Sequence, residues 1–445
     1  MQSLPLSLAA LSRAAWLSLS IAPLFILSAC GGGQSAPAAS ASPPPLSQAA
    51  RIGELVFSDT QLSASGQQSC ATCHVASTSF AAADGRPTPL GGPLMNLPGL
   101  RNTPSLMYAS FTPNFHYKTS GTPVGGFFRD GRAATLADQA TKPFMGSFEM
   151  ANASPAELLG RLSQRPYFAQ FVQVFGAKAG TDADAALTAL GTALAAFESE
   201  DPRFHPFSSK FDAFLKGQAQ LTPAETKGYA LFIAPTKGNC TACHIATPAN
   251  GIAPLFTDFT YDNVGIPRNW TIAANQAGTT LPYVPSNGAS IATLPGGSNY
   301  NYYDLGLCGP IRTDIALPSL CGFFKVPTLR NVAIRQHYFH NGVFDNLNDA
   351  VNWYATRDTN PSRWYVQADG VTPDIPYNDL PALYDANVNV TEVPYNPGIA
   401  PTLSPSEINL IVTFLCTLTD GYDPAHPGAY NTPTQCQAAA AAARN

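Results

Sequence analysis

Cys70-Ala71-Thr72-Cys73-His74 and Cys240-Thr241-Ala242-Cys243-His244 decide how this chain is read. Each is a Cys-x-x-Cys-His pentapeptide, the attachment signature of a c-type haem. The two thiols form thioethers to the porphyrin vinyls, and the adjacent His lands beneath the iron as proximal ligand. A lone copy also fits a redox dithiol. Two copies about 170 residues apart, each after a Gly-x-x-x-Phe segment (Gly53 to Phe57, Gly228 to Phe232), imply two covalently bound haem c groups.

The bulk properties agree. A chain of 445 residues exceeds the ~250–300 residues at which single cores stop growing. The expected fold is mainly α, with two cytochrome c-like haem domains and long irregular loops. The first domain is expected over residues 51–215 and the second over 216–425, with the boundary near Phe211 to Gln220. With 40 Pro, 35 Gly and only 12% charged residues, the composition suits a loop-rich protein whose core is partly porphyrin. The net charge of −5, before any propionates, argues against a nucleic-acid partner.

Residues 1–30 read as an export signal. An apolar run from Ala14 to Leu27 follows Arg13 and is short for a membrane span. Its end, Leu27-Ser28-Ala29-Cys30, resembles a bacterial lipobox, which implies cleavage before Cys30 and lipidation of its thiol. Residues 31–50 form a Gly/Ala/Ser/Pro-rich tether. The protein is therefore expected in the periplasm, touching the membrane only through a lipid anchor.

Of nine cysteines, one is assigned to lipid and four to haem, leaving Cys308, Cys321, Cys416 and Cys436. An oxidising compartment suits the local pairs 308–321 and 416–436, with other pairings open. Three helix starts share one design: Ser154-Pro155-Ala156-Glu157, Thr222-Pro223-Ala224-Glu225 and Ser404-Pro405-Ser406-Glu407. Each offers an N-cap, a Pro at the first helical position and a Glu that reaches back. The first predicts a helix running towards Phe175, and the third the last helix, ending near Thr419. Asp182 to Ser199 is also helical by its Ala/Leu pattern. Residues 245–322 read as a long insertion, and 426–445 as a C-terminal tail whose last nine residues fray.

Further segments stand between and after the haem motifs: Arg101-Asn102-Thr103-Pro104-Ser105, Phe127-Phe128-Arg129-Asp130-Gly131-Arg132 running on to Phe148-Glu149-Met150, Phe324-Lys325-Val326-Pro327-Thr328-Leu329-Arg330-Asn331, and Tyr338-Phe339-His340-Asn341-Gly342. In this order they resemble the bacterial di-haem cytochrome c peroxidase and MauG superfamily over most of residues 51–420. The resemblance implies that the first haem meets hydrogen peroxide and the second stores or relays oxidising equivalents. It implies that Glu149 stands above the first haem, where a carboxylate can take a proton from one peroxide oxygen and return it to the other. The second haem's sixth ligand is implied fourteen residues after His340, where other members have Met and this chain has Tyr354. No Met follows Met150. MauG-like members have this Tyr, a hard anionic ligand that favours high oxidation states, as in a bis-Fe(IV)-type charge-shared state. His340 is implied to support a haem propionate or the path between haems.

Val75 to Leu100 contains no His that could block the first haem, and His116 reads as a loop or structural residue. An open first haem is therefore expected. Family members often carry Trp where this chain has Arg129, and Gly238 and Asn239 occupy the stretch where MauG has a surface-directed Trp. The family also holds one calcium ion between its domains. The matching positions are Asn102 by side chain and Arg335 and His337 by backbone carbonyl, and oxygen ligands suit calcium. The implied enzyme reduces hydrogen peroxide with electrons from a small redox protein or quinol-linked donor. MauG-type oxidation of a protein side chain and a non-catalytic electron-transfer cytochrome are the alternatives. The family often forms homodimers.

Overall fold

Two glycines mark where the helices cross. In the first half, α1 (Gln48–Ser58) lies across a later helix at Gly53, where an added Cβ would sit 2.0 Å from the carbonyl oxygen of Ala193. In the second half the same crossing recurs at Gly228, where a Cβ would sit 2.0 Å from the carbonyl oxygen of Leu410. Four residues on, Phe57 and Phe232 turn into the two cores. The Gly-x-x-x-Phe pattern ahead of each haem motif is thus a packing device: the glycine lets two backbones touch and the phenylalanine fills the space beside them. Gly53→Ala and Gly228→Ala are each expected to lower stability by at least ~1–3 kcal/mol through overpacking, read as a fall in the holoprotein's melting temperature. An unchanged melting temperature would mean that the helices are free to separate.

The computed structural model describes residues 44–276, 302–395, 400–429 and 432–442. The export signal, the lipobox at Cys30 and most of the tether lie outside the described residues; the tether's last residues, from Gln48, already belong to α1. The first half continues with α2 (Cys70–Cys73), α3 (Leu136–Met145), α4 (Pro155–Leu162), α5 (Phe168–Phe175) and α6 (Ala183–Glu200), the partner of α1. The second contains α7 (Lys210–Leu215), α8 (Pro223–Ile233), α9 (Leu347–Thr356), α10 (Pro361–Trp364), α11 (Pro405–Cys416) and α12 (Thr434–Ala442), with α8 against α11. Strand is confined, among the described residues, to antiparallel pairs of two-residue strands: β1 (Leu90–Gly91) with β2 (Leu97–Pro98), β3 (His116–Tyr117) with β4 (Pro123–Val124), and β5 (Tyr261–Asp262) with β6 (Phe324–Lys325). The fold is mainly α, as expected. No helix among the described residues is long and apolar enough to cross a membrane.

The two largest buried clusters fall on either side of the join. One gathers Ile52, Phe57, Phe80, Leu194 and Phe204, the other Phe211, Phe232, Phe256, Ile411 and Phe414. Pro45 to Asn445 nonetheless forms one compact unit. The join itself is built into the second core. Phe211 on α7 is fully buried, and its neighbour Asp212 receives both terminal nitrogens of Arg330 at 2.8 and 2.9 Å. Arg330 in turn lies 4.8 Å from the ring centre of Tyr108 and 4.6 Å from that of Phe207, both outside the second core.

The three designed helix starts form. Ser154, Thr222 and Ser404 accept bonds from the amides of Glu157, Glu225 and Glu407, and the last two glutamates close reciprocal boxes. Glu157 instead accepts from the Ala153 amide at 2.7 Å. The helix expected to run on to Phe175 is two helices, α4 and α5, because Pro166 lies between them. The C-terminal tail is not frayed throughout: α12 follows α11, packs against it, and is tied to it by the Cys416–Cys436 disulfide, which buries Cys436 and Ala439. A second disulfide, Cys308–Cys321, lies inside the insertion.

Candidate active site and haem-binding cavity

Each haem motif is prepared in the same way. Cys70 to Cys73 is one helical turn, and Cys240 to Ala242 is a tighter turn ending at Cys243. A spacing of three brings both cysteines to one face. The amide of each following His donates back to the first Cys carbonyl at 2.8 Å, His74 to Cys70 and His244 to Cys240. Each imidazole then uses Nδ1 to meet a backbone carbonyl: His74 with Phe80 at 2.9 Å, and His244 with Phe256 at 2.8 Å. That bond selects the tautomer whose Nε2 lone pair is free for iron. Burial pushes His74 down to about 4, so the ring is neutral at pH 7, and it pushes His244 down as well.

Phe80 and Phe256 present their carbonyls from a left-handed backbone, with φ of 51° and 53°. Such positions cost on the order of 1–3 kcal/mol in a non-glycine residue and persist only when held. The Ser105 hydroxyl bonds the carbonyl just before Phe80, and the Thr328 hydroxyl bonds the carbonyl just before Phe256. Sequence reasoning missed Phe80 and Phe256, and it quoted Ser105 and Thr328 without this role. The signal was present in the repeated Thr103-Pro104-Ser105-Leu106 and Val326-Pro327-Thr328-Leu329.

A second duplication aims side chains between the motifs. Phe127-Phe128-Arg129-Asp130-Gly131 and Tyr338-Phe339-His340-Asn341-Gly342 are matching turns. Phe128 and Phe339 have φ of 62° and 65°, and Gly131 and Gly342 have φ of 66° and 64°. Arg129 and His340 therefore occupy equivalent positions, and both line a cavity of about 520 Å³ shared by the two haem motifs. His340 stacks on Phe324 at 3.6 Å between ring centres, with Nε2 3.5 Å from an Asp379 oxygen.

The same cavity holds most of the expected site. Cys73, His74 and Glu149 line it from the first half, and Cys240, Cys243, His244 and Tyr354 from the second. Glu149 follows α3 in a turn whose amides bond back to Gly146, and Gly92 donates to its carbonyl at 2.9 Å. Its carboxylate lies where a Cβ on Gly146 would be, 2.1 Å away, so a larger residue at position 146 would displace it. Glu149 is exposed and lines the cavity, with protein crowded around its carboxyl. Burial pushes its carboxyl up, while the Arg132 guanidinium pulls the other way. Tyr354 projects from α9 beside Phe339 and stacks near Tyr395, 6.0 Å between centres. Burial pushes its phenol up, and Cys243 and Asp262 add to the effect. Of the seven histidines, only His74, His244 and His340 line the cavity. His116 is exposed on β3.

The donor set also fits the anionic edge of a haem. Arg129, Lys325 and Arg335 line the cavity without a carboxylate within ion-pair distance among the described residues. Arg129 donates only to the Asn102 carbonyl, twice at 3.1 Å. Burial pushes Lys325 down to about 7, with Asp130 opposing. Burial, then Arg335 and Arg101, push Arg129 down. Buried cations without counter-ions are costly, and haem propionates would supply the missing charge. Arg101, by contrast, is matched by Asp130 at 2.8 Å and by Asp304 at 2.6 Å, which fastens the insertion to the first half.

The residues expected to hold calcium are hydrogen-bonded to one another. Asn102, Arg335 and His337 do come together, but as hydrogen-bond partners rather than as an oxygen cage. Asn102 Nδ2 donates to the His337 carbonyl at 2.9 Å, and the Arg335 guanidinium stands among the oxygens. Glu198 was also missed: it is buried on α6, and burial pushes it up to about 8.

Comparison with known proteins gives the family. The family described as "Di-haem cytochrome c peroxidase" matches residues 47–220. The methylamine utilization protein MauG of Paracoccus denitrificans is 36% identical over 342 residues, 75% of this chain and 80% of that protein. The cytochrome c551 peroxidase of Pseudomonas aeruginosa is 30% identical over 309 residues, 69% of this chain and 72% of that protein. The crystal structure of the diheme peroxidase BthA from Burkholderia thailandensis is similar at TM-score 0.74 and 36% identity, covering 85% of this chain and 87% of that one. With two haem c sites, matched turns and these relatives, the chain belongs to the di-haem cytochrome c peroxidase and MauG family and is a di-haem oxidoreductase of its MauG-like branch.

Proposed function

We propose that this enzyme reduces hydrogen peroxide at an open first haem, with the second haem, ligated by His244 and Tyr354, holding or relaying the oxidising equivalents. The observation that carries this reading is the composition of the shared cavity. Glu149 is the carboxylate that its first half contributes, Tyr354 stands with Tyr338 and Tyr395 among the phenols of its second, and no histidine lines it beyond the two proximal ones and His340.

When bound, the two haems supply the redox-active iron; the protein supplies the rest. His74 and His244 are held neutral and oriented by the Phe80 and Phe256 carbonyls. Glu149 moves a proton between the peroxide oxygens, a role for which a carboxylate of raised pKa on the cavity wall is suited. Tyr354 offers a phenol oxygen from a rigid helix. Arg129, Lys325 and Arg335 neutralise propionates, and His340 with Phe324 fills the space where electrons pass. Electrons come from a small redox protein. The Leu-Ser-Ala-Cys segment supports a periplasmic lipoprotein anchored at Cys30.

The test is a peroxide titration of the ferric holoprotein, followed by visible and near-infrared absorption. Wild type is expected to show a high-spin resting band and to develop near-infrared absorption with peroxide. Tyr354→Phe should keep both haems but lose the near-infrared response. A resting protein that is wholly low-spin, and inert until one haem is reduced, would sink the open-haem reading.

A further inference from the structure

The junction between the two halves turns on Asn102. Its amide N–H donates to the His340 carbonyl at 2.7 Å, and its own carbonyl receives Arg129. Its side-chain nitrogen donates to the carbonyls of His337 at 2.9 Å and Phe339 at 3.3 Å. A calcium ion needs six to eight oxygens converging at about 2.3–2.6 Å. Here the side chain turns N–H groups, not oxygen, towards those carbonyls. The Arg335 carbonyl is also engaged, by the Tyr338 hydroxyl at 3.2 Å.

The place is taken by a cation of the chain itself. Arg335 folds its guanidinium back over its own turn. Nη2 donates to the Thr103 carbonyl at 2.8 Å and lies 3.5 Å from Asn102 Oδ1, while Nε lies 3.5 Å from the His337 carbonyl. One planar group thus reaches oxygens from both halves, Thr103 and Asn102 in the first and His337 in the second. No carboxylate stands within ion-pair distance of Arg335 among the described residues. A divalent ion would have to share these oxygens with the Arg335 guanidinium that already reaches them.

We propose that the Arg335 guanidinium replaces calcium as the cation that clasps the two halves, so that this junction needs no metal. A guanidinium has fixed charge and planar N–H donors that match carbonyl oxygens, and no chelator removes it.

The test starts with the holoprotein as isolated. Metal content is measured after incubation with calcium chloride and gel filtration, and melting temperature and resting spectrum are recorded with and without EGTA. The expected result is far less than one calcium per chain and superimposable traces. One tightly held calcium per chain, or a change with EGTA that calcium reverses, overturns the proposal. The second arm is Arg335→Thr beside Arg335→Lys. The Thr variant is expected to melt at lower temperature than wild type, with Lys intermediate; a Thr variant that melts like wild type also overturns it. Should the Thr variant fail to fold, the wild-type calcium content still decides.

Discussion

Glu149→Gln is expected to slow peroxide consumption by about 10²–10⁴-fold, the range a positioned general acid–base contributes. The substitution keeps size and hydrogen-bonding atoms, so both haems should remain attached and the proximal histidines undisturbed. The pH dependence carries the sharper signature. Accepting the first proton requires the carboxylate form. Because burial raises this carboxyl, the active form is lost at a higher pH than for an ordinary Glu as the solution is acidified. The wild-type rate should therefore fall as pH drops through that raised value, and the Gln variant should lack this acid limb. A Gln variant within about threefold of wild type, with the same acid limb, would remove Glu149 from the proton path.

The second large effect is on stability. Asp212→Ala should cost about 3–5 kcal/mol, because it leaves Arg330 buried without its counter-charge. Both side chains are 1% exposed, and Asp212 Oδ2 also receives the Ser209 amide and hydroxyl. Burial opposes ionisation of Asp212, but the Arg330 bonds outweigh it and hold the carboxyl below its usual range. The exposed Arg203–Glu54 pair, at 56% and 47%, is a control: Glu54→Ala should cost under ~1 kcal/mol. Guanidinium unfolding of the holoproteins measures both. Replacing both Asp212 and Arg330 with apolar residues should recover much of the loss. If the single and control substitutions cost the same, the Asp212–Arg330 clasp does not hold the join.

The residues whose chemistry is local were legible without a structure. A Cys-x-x-Cys-His run states its covalent partner in five residues. The capped helix starts at Thr222 and Ser404 state theirs in four. The local cysteine pairs also formed as read. Where the structure goes beyond that reading, a distant contact decided the outcome. Residues 437–442 looked like a fraying Ala-rich end, yet Cys436 is bonded back to α11 and the helix forms on that support. The calcium expectation concerns the Arg335 carbonyl and is silent on its side chain. In the fold that side chain reaches Thr103 and Asn102, more than two hundred residues earlier in the chain.

From its sequence alone, then, the chain determined two haem c groups, a mainly helical frame and its capped helix starts. These follow from covalent chemistry and from bonds that close within one turn of backbone. Only the tertiary structure decided which carbonyls orient His74 and His244, how Arg129, Lys325 and Arg335 gather as unpaired cations, and what clasps the two halves. Those outcomes depend on segments that meet only after long loops have closed. Their geometry is set by packing and charge across the fold, which no short stretch of residues records.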